Sequence, residues 1–258
     1  MSNGTVSTLY AVATFLVVLA AWQIAVTALH VAPYFIPSPL AILHALIAGR
    51  ALYAANFLVT LESTLIAFAV ALAAGVLLGA MVSESRLLRR TLYPLLIAFQ
   101  SMPRIALAPV IIVWFGFGIS SKVVLGAFTA FFPIFLNTVH GMATADPDQL
   151  ALMRILKANR MQVFLKVKLP GALPFLLAGA NIGIIFAILA VIVGEFLGAN
   201  RGMGFLIVNQ SNQMDMAGTF ASVFLLSATG IGFHYGLGAL RRRLLFWSGT
   251  GEAGREAG

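Results

Sequence analysis

The sequence predicts an all-α membrane protein with about six transmembrane helices. Only 9% of its 258 residues are charged and the mean hydropathy is +0.98, whereas about a quarter of the residues in a soluble domain are charged. Uncharged runs of 25 or more residues separate Lys168 from Glu195 and Asp215 from Arg241. Such runs cross a bilayer as helices, so an ordinary soluble fold is excluded.

Six apolar segments are predicted as spans, each long enough to cross about 30 Å of hydrocarbon. They run roughly over 8–29, 57–82, 92–115, 121–142, 172–198 and 216–239. The chain is thereby divided into an N-terminal helix region at 1–34, a core with the five further spans at 35–245, and a tail at 246–258.

The segments outside the spans carry their own signals. The first residues, MSNGTVSTLY, contain no basic residue, so the first apolar run is predicted to be a retained helix and not a cleaved signal peptide. Ser38 and Pro39 form a helix start, which predicts a short amphipathic helix at the outer surface. The tail GTGEAGREAG is predicted to be disordered.

The distribution of Lys and Arg predicts that both termini lie in the cytoplasm. In this orientation twelve cationic residues lie in cytoplasmic segments, and only Arg50, Lys122 and Arg201 lie outside, in accord with the positive-inside rule. The twelve are Arg86, Arg89, Arg90, Arg154, Lys157, Arg160, Lys166, Lys168, Arg241, Arg242, Arg243 and Arg255.

Residues able to support catalysis are scarce. The chain has no Cys, which excludes disulfides, iron–sulfur centres and thiol nucleophiles. No Lys follows a Gly, so the chain has no P-loop, and we expect neither a catalytic residue nor a cofactor site here. The net charge of +8 is attributed to cytoplasmic loops and not to nucleic-acid binding. Four His residues are too scattered for a metal site: His30, His44, His140 and His234.

Glycines recur at four-residue spacing in four places. Such pairs let helix backbones approach closely in lipid. They are compatible with ordinary packing inside one bundle and with a subunit interface. The pairs are Gly75 with Gly79, Gly179 with Gly183, Gly194 with Gly198, and Gly232 with Gly236.

The loop at 143–171 gathers five of the sixteen Lys and Arg residues. Its first part predicts a helix start, because Asp146 is a favourable N-cap, Pro147 suits the first helical position and Gln149 stands in the capping-box position. The helix is predicted to run to about Leu156.

A second short helix is predicted after a turn. Asn159 tolerates turn backbone and is a good N-cap, and Gln162 follows three residues later. The helix would cover about 160–168 and end before Pro170, because a proline ring disfavours helical backbone just ahead of it.

Both short helices carry apolar side chains that an exposed loop does not require. One interpretation is a helix pair resting on anionic lipid, and the other is a docking surface for another protein. The apolar positions are Leu150, Met153 and Leu156 on the first helix and Val163, Phe164 and Val167 on the second.

Three charged residues, Glu62, Arg104 and Glu195, lie within predicted spans, where charge is costly and often functional. Arg104 is predicted to lie about 18 Å into its span. Pro103 and Pro109 flank it and are expected to break the helix there. Two interpretations stay open: Arg104 faces a transport path and attracts an anion, or it pairs with a carboxylate of another helix.

Five stretches of the sequence resemble those of a known protein family. VKLPGALP matches the I-x-L-P end of the cytoplasmic EAA loop of ATP-binding-cassette importer permeases at Val167, Leu169 and Pro170. Four further stretches resemble the nitrate/sulfonate/taurine-type branch of that family, and the resemblance extends over residues 35–245. They are PSP at 37–39, SMPRIALAPVIIVWFGFG at 101–118, FFPIFLNTVHGM at 131–142 and VGEFLGANRGMGFLI at 193–207.

The loop departs from the family pattern. Ala151 stands where the family has Glu, Leu152 and Met153 stand where it has Ala-Ala, and Lys157 stands where it has Gly. A Lys side chain resists the left-handed backbone that Gly allows, at roughly 1–2 kcal/mol. We therefore expect a differently shaped turn, and hypothesise pairing with a non-identical permease that keeps the Gly.

The resemblance implies a type I ABC importer permease in the bacterial inner membrane. Two permease subunits, identical or paralogous, would form the solute pathway, two ATPase subunits would hold ATP and Mg²⁺, and an extracytoplasmic binding protein would deliver solute. Glu195 matches a Glu common in the family, with a structural or gate-forming role. The residues implied to couple to the ATPase are Asp146, Leu150, Ala151, Leu152, Met153, Leu156, Lys157, Ala158, Asn159, Leu169 and Pro170.

Two other classes of membrane protein are rivals to this interpretation. A secondary transporter or channel needs no ATPase and therefore no docking loop, and it stays as the alternative. A membrane enzyme requires a nucleophile or a metal cluster near one face, and the sequence offers neither. The prediction is a non-enzymatic permease subunit for nitrate or a small anionic or planar organic molecule.

Overall fold

Within residues 3–245, which the computed structural model describes, the chain folds into α-helices without a strand. A 3-10 turn at Arg104–Leu107 precedes α5, and a π-helical turn at Phe164–Lys168 precedes α9. The tail predicted to be disordered lies outside the described residues. The helices are α1 (Asn3–Ala28), α2 (Pro39–Ala48), α3 (Arg50–Glu84), α4 (Arg86–Gln100), α5 (Ala108–Phe115), α6 (Ile119–Ala143), α7 (Pro147–Ile155), α8 (Arg160–Val163), α9 (Leu169–Phe196), α10 (Met203–Asn212) and α11 (Met216–Leu244).

The six predicted spans fall on α1, α3, the α4–α5 pair, α6, α9 and α11, and four or five of them qualify as spans within the described residues. By length and apolar composition, α3, α6, α11 and the continuous helix Arg160–Phe196 are each able to cross a membrane. The α4–α5 pair is bent by 87° at its break and counts as a fifth span if the pair is taken together. The apolar stretch of α1, Val12–Ala28, is shorter than these. The all-α membrane fold is confirmed.

Two compact units share the chain, and the first holds described residues 3–59 and 200–228. Its core joins α2, the start of α3, α10 and α11 through Ile42, Tyr53, Met203, Leu206 and Ala221. Helix α2 begins as predicted: Pro39 is its first residue, and the Ser38 hydroxyl accepts a hydrogen bond from the Ala41 N–H.

Buried polar groups in this first unit satisfy one another. Gln210 Nε2 donates to Tyr53 Oη at 3.1 Å, and the Ser222 hydroxyl donates to Gln210 Oε1 at 2.9 Å. The Gly202 N–H donates to Asn56 Oδ1 at 2.8 Å. An unmatched polar group costs several kcal/mol in hydrocarbon, so these bonds hold the short helix α10 against α3 and α11.

The second unit holds described residues 60–199 and 229–245, with α6 and α9 packed together at its centre. Ala130 and Ile134 of α6 are fully buried with Ala187 and Val191 of α9. A Cβ on Gly179 would lie 2.7 Å from Asn137 Cβ, so the absence of a side chain permits this close approach.

The glycine pairs separate into two groups. Gly75 and Gly79 of α3 lie against Ile134 and Thr138, and Gly179 and Gly183 lie against α6, so these pairs serve packing inside the chain. Gly194 and Gly198 lie against Lys122 and Phe117. Around Gly232 and Gly236 of α11, a Cβ would meet no described atom within 4 Å.

We predict opposite effects for two Gly→Ala substitutions in helix interiors. Gly179→Ala places a methyl group 2.7 Å from Asn137 Cβ and 3.0 Å from the Pro133 carbonyl oxygen, so it should lower the free energy of unfolding by about 1–3 kcal/mol. Gly236→Ala meets open space and should be neutral or stabilising by up to about 1 kcal/mol. Thermal unfolding of the purified chain in detergent measures both, and equal effects would contradict the packing described.

Candidate functional site

The loop between α6 and α9 begins with the predicted helix, α7. Asp146 is its N-cap and accepts a hydrogen bond from the Asp148 N–H at 2.9 Å. Pro147 is the first helical residue, and the helix ends at Ile155 with Leu156 as C-cap. The predicted course of this helix is confirmed, with its start fixed by a side-chain cap.

The turn after α7 corrects the expectation for Lys157. Its φ of 51° lies in the left-handed region. The Lys157 N–H donates to the Arg154 carbonyl and the Ala158 N–H donates to the Met153 carbonyl, both at 3.0 Å, which is the Schellman pattern. The expectation of a differently shaped turn is therefore wrong. Two hydrogen bonds to carbonyls that the helix end leaves open offset the cost of a left-handed Lys.

The second short helix begins as predicted but does not end as predicted. Asn159 and Gln162 form a full capping box, with bonds of 2.8 and 2.9 Å. The expected stop before Pro170 is wrong, because the helix continues through Leu169 and Pro170 to Phe196. The π-helical turn just before α9 widens the backbone, which accommodates the proline ring and its missing N–H.

Three apolar side chains are exposed close together at the end of α7. Leu152, Ile155 and Leu156 are 55%, 78% and 65% exposed, and we call these three the α7 face. Leu150 and Met153 are half-buried. Sequence reasoning missed Ile155, although its position three residues after Leu152 places it on the same side of a helix.

The apolar side of the second short helix turns toward its own chain. Val167 is buried, and Phe164 packs against the cluster formed by Met142, Ala172 and Leu176. These residues therefore belong to the core of the second unit, whereas Met161 and Leu165 of the same segment are exposed. The α7 face differs from them in having three exposed apolar side chains close together at the end of α7.

Arg104 lies at the break between α4 and α5, where Pro103 precedes a 3-10 turn and Pro109 lies in the first turn of α5. The predicted helix break is confirmed. Arg104 Nη1 donates to the Thr129 carbonyl at 3.1 Å, and the guanidinium lies 5.1 Å from the centroid of the Phe132 ring. Among residues 3–245 no carboxylate lies within 4 Å of it, so pairing with a carboxylate of this chain is not observed.

A cleft of about 330 Å³ opens beside Arg104. Its walls include Met102, Thr129, Phe186 and Leu189, so one guanidinium faces a largely apolar and aromatic lining. Arg104 is half-buried there, with donor capacity beyond its single bond to Thr129.

Glu195 and Lys122 form a buried ion pair. Lys122 Nζ lies 3.5 Å from Glu195 Oε1, and the Thr60 hydroxyl lies 3.0 Å from each oxygen of the same carboxylate. Lys122 is 5% exposed and Glu195 is 1% exposed. Lys122 lies four residues into α6 and is therefore buried against α9, and its placement toward the outer side of the membrane stays a prediction.

Glu62 differs from the other two predicted charges. Its side chain is exposed on α3, on a side of the helix where Leu58, Leu65 and Ile66 are also exposed. In the described part of the chain it makes no ion pair. The structure therefore does not bring Glu62 into the polar group of Glu195.

We predict that the buried ion pair is far more sensitive to loss of one charge than to loss of both. Lys122→Met takes the ammonium away from a buried carboxylate and should cost about 3–5 kcal/mol of unfolding free energy. Adding Glu195→Gln removes the charge and keeps a hydrogen-bond acceptor near Thr60, so the double variant should recover much of this loss. Thermal unfolding in detergent measures both variants. Additive losses would show that the two charges do not interact.

Sequence comparison places the chain among membrane transport proteins. The formylaminopyrimidine transport permease protein ThiX of Halalkalibacterium halodurans is 34% identical over 234 residues, covering 90% of this chain and 93% of ThiX. The riboflavin transport system permease protein RibX of Chloroflexus aurantiacus is 33% identical over 244 residues, with 92% and 89% covered. The taurine transport system permease protein TauC of Escherichia coli is 28% identical over 245 residues, with 92% and 89% covered.

Solved structures share the fold. The MetNI methionine ABC transporter, in an inward-facing native crystal form, matches with a TM-score of 0.61 at 22% identity, covering 78% of this chain and 97% of that chain. An amino acid ABC transporter with histidines matches with a TM-score of 0.65 at 16% identity, with 77% and 96% covered. The type I importer permease fold is thus confirmed.

The match to a family extends over most of the helical core. Residues 71–245 match the family described as binding-protein-dependent transport system inner membrane component. Together with relatives above 30% identity along nearly the whole chain, this shows that the chain belongs to that family and is a permease component of the ABC importer type.

Proposed function

We propose that this permease forms, with a second permease subunit, the pathway of an ATP-driven importer for small anionic or planar organic solutes or nitrate. Both termini lie in the cytoplasm, ATP and Mg²⁺ are bound by separate ATPase subunits, and an extracytoplasmic binding protein delivers the solute. The observation that carries the proposal is the α7 face, an exposed apolar surface on a loop whose turns are fixed by capping hydrogen bonds.

The α7 face suits an ATPase groove for two physical reasons. A few apolar anchors usually supply most of the energy of a protein interface, and Leu152, Ile155 and Leu156 are apolar and exposed together. The basic residues around them suit the solvent-exposed rim of such an interface, where each ion pair adds about 0–1 kcal/mol.

The loop is also built to transmit force. The Schellman turn and the capping box join α7 directly to the 37-residue helix Arg160–Phe196. A displacement of α7 on an ATPase would therefore move the cytoplasmic end of a helix that crosses the membrane, without a flexible linker to absorb it.

The second permease subunit need not differ from this one. The hypothesis of a non-identical partner rested on a distorted turn at Lys157, and that residue takes the left-handed backbone that a Gly there would allow. We propose two permease subunits in the complex, either identical or paralogous, and the native complex purified from its source distinguishes the two arrangements by its subunit masses.

Docking is tested with Ile155→Asp in the reconstituted complex. A carboxylate at an apolar anchor should weaken ATPase binding by at least about 2 kcal/mol, or roughly 30-fold, and should abolish solute-stimulated ATP hydrolysis. Ile155→Asp is cleaner than Met153→Asp because Met153 is half-buried and its replacement also disturbs the loop. Lys166→Ala serves as the control and should change binding by less than about 1 kcal/mol.

Experiments with the reconstituted complex also distinguish an ATP-driven importer from the alternative, a secondary transporter or channel. The purified chain alone should neither hydrolyse ATP nor transport solute. Transport by the chain alone, without an ATPase, would instead indicate a secondary transporter or channel. Normal ATPase binding by Ile155→Asp would remove the α7 face as the docking surface.

We propose that Arg104 contacts the solute. Its guanidinium faces a cleft with the aromatic side chain of Phe186, and it already lies over the ring of Phe132. A guanidinium beside aromatic rings suits a planar or anionic solute through charge-assisted hydrogen bonds and stacking. The relatives named for formylaminopyrimidine, riboflavin and taurine transport support this chemistry.

Arg104→Gln tests this role. It should lower transport of an anionic solute about tenfold or more, since a hydrogen bond to a charged group contributes roughly 1.5–3 kcal/mol, while thermal stability and ATPase binding stay unchanged. Arg104→Lys keeps the charge and should retain part of the transport. Loss of stability in Arg104→Gln would instead assign the residue a structural role, and normal transport with normal stability would remove both roles.

A further inference from the structure

A second polar feature lies beside α7, in the loop at 143–171, and has no part in the proposed docking. A cleft of about 800 Å³ opens between the α3–α4 turn and the start of the helix Arg160–Phe196. Its polar lining consists of Glu84, Ser85, Arg86, Arg160 and Lys168, and we call it the basic cleft.

Within the described part of the chain, the positive charges of the basic cleft exceed the negative ones. Its single carboxylate, Glu84, lies 2.5 Å from Lys168 Nζ and is matched by that ammonium. Among residues 3–245, no carboxylate lies within 4 Å of Arg86 or Arg160. Two guanidinium groups from separate segments therefore face the same space with an excess of positive charge.

The neighbouring Arg89 shows how the protein itself accepts hydrogen bonds from an Arg in this region. Arg89 Nη2 donates to the Ser83 carbonyl at 2.7 Å, at the end of α3. In contrast, no bond of this kind to another described residue engages Arg86 or Arg160. The first turn of α4 contains no acidic residue, and cations at the positive end of a helix dipole repel it. An anion in the basic cleft would relieve this repulsion.

The position of the cleft and the residues around it indicate which kind of molecule would carry the anionic group. The cleft lies where α3, a helix able to span the membrane, ends at Glu84, two residues past the predicted span 57–82, which places it near the level of lipid headgroups. Leu87 follows Arg86 in the chain and is 70% exposed, and Leu165 precedes Lys168 by one helical turn and is 52% exposed. Positive charge beside exposed apolar side chains suits an amphiphile better than a free ion.

We propose that the basic cleft binds the phosphate headgroup of an anionic phospholipid, with Arg86 and Arg160 as the groups that hold it. Two guanidinium forks suit phosphate oxygens. The acyl chains lie along the exposed side chains of Leu87, at the start of α4, and Leu165. The inference rests on the proposed function only for the cytoplasmic placement of the loop, and it is independent of ATPase docking because the α7 face contributes no residue to the cleft.

The test uses native mass spectrometry to compare the binding of phosphatidylglycerol and phosphatidylcholine to the full-length permease in detergent. The parent should bind phosphatidylglycerol in preference. Arg86→Gln/Arg160→Gln should weaken that binding about 30-fold for the two cations together. The matched control Arg154→Gln/Arg242→Gln removes two exposed cations outside the cleft and should keep the parental affinity. Equal losses in both double variants, or no preference in the parent, would overturn the proposal.

Two further measurements distinguish the lipid from other occupants of the basic cleft. Inorganic phosphate that displaces phosphatidylglycerol at equal concentration would indicate a site for the free ion and overturn the lipid assignment. In bilayers of phosphatidylcholine alone, the cleft variant should bind the ATPase as the parent does, and loss of binding there would make the cleft a contact for the ATPase.

The proposed docking and the lipid site fail independently. Ile155→Asp should keep phosphatidylglycerol binding whether or not it binds the ATPase. If the double Gln variant does not fold, Arg160→Gln alone is used, because Arg160 is exposed, and it should weaken phosphatidylglycerol binding about fivefold. Unchanged binding in a folded Arg160→Gln variant would overturn the proposal.

Discussion

Helices α6 and α9 pack against each other because Gly179 and Gly183 let the two backbones approach closely. Both candidate charge sites depend on this contact. The cleft beside Arg104 has one wall from α6 and one from α9, and the buried pair joins Lys122 of α6 to Glu195 of α9. Lipid offers no hydrophobic drive for helix association, so van der Waals contact over a small-residue surface stabilises the arrangement instead.

Hydrogen bonding of helix ends accounts for the shape of the loop at 143–171. Side chains of Asp146 and Asn159 cap the two short helices, and the turn at Lys157 satisfies two carbonyls at the end of α7. Because these bonds lie in the loop itself, α7 is held in a defined direction relative to the helix that follows it. The same bonds leave the apolar side chains of α7 exposed, and exposed apolar side chains on a rigid support are what a partner protein binds with little loss of entropy.

Much of this local structure was predictable because its cause is local. Capping residues, the helix break at Pro103 and the positions of the spans follow from residues within one or two turns of each other. Two local predictions were wrong for a shared reason. A π-helical turn let the helix pass through Pro170, and a Schellman hydrogen-bond pair let Lys157 take left-handed backbone, so the cost of one residue was offset by its neighbours.

The sequence by itself determined that this chain is an all-helical membrane protein, since composition and the lengths of apolar runs decide whether a chain lies in lipid. The permease role was indicated by the resemblance of its motifs to those of a known family. The sequence also located the loop and two of its caps. Only the tertiary structure decided that Lys122 is buried against Glu195, 73 positions away, that Ile155 is exposed and Val167 is not, and that Arg104 lies over an aromatic ring. These facts depend on which faces of distant helices meet, and that choice is made by packing across the whole bundle rather than by any one segment.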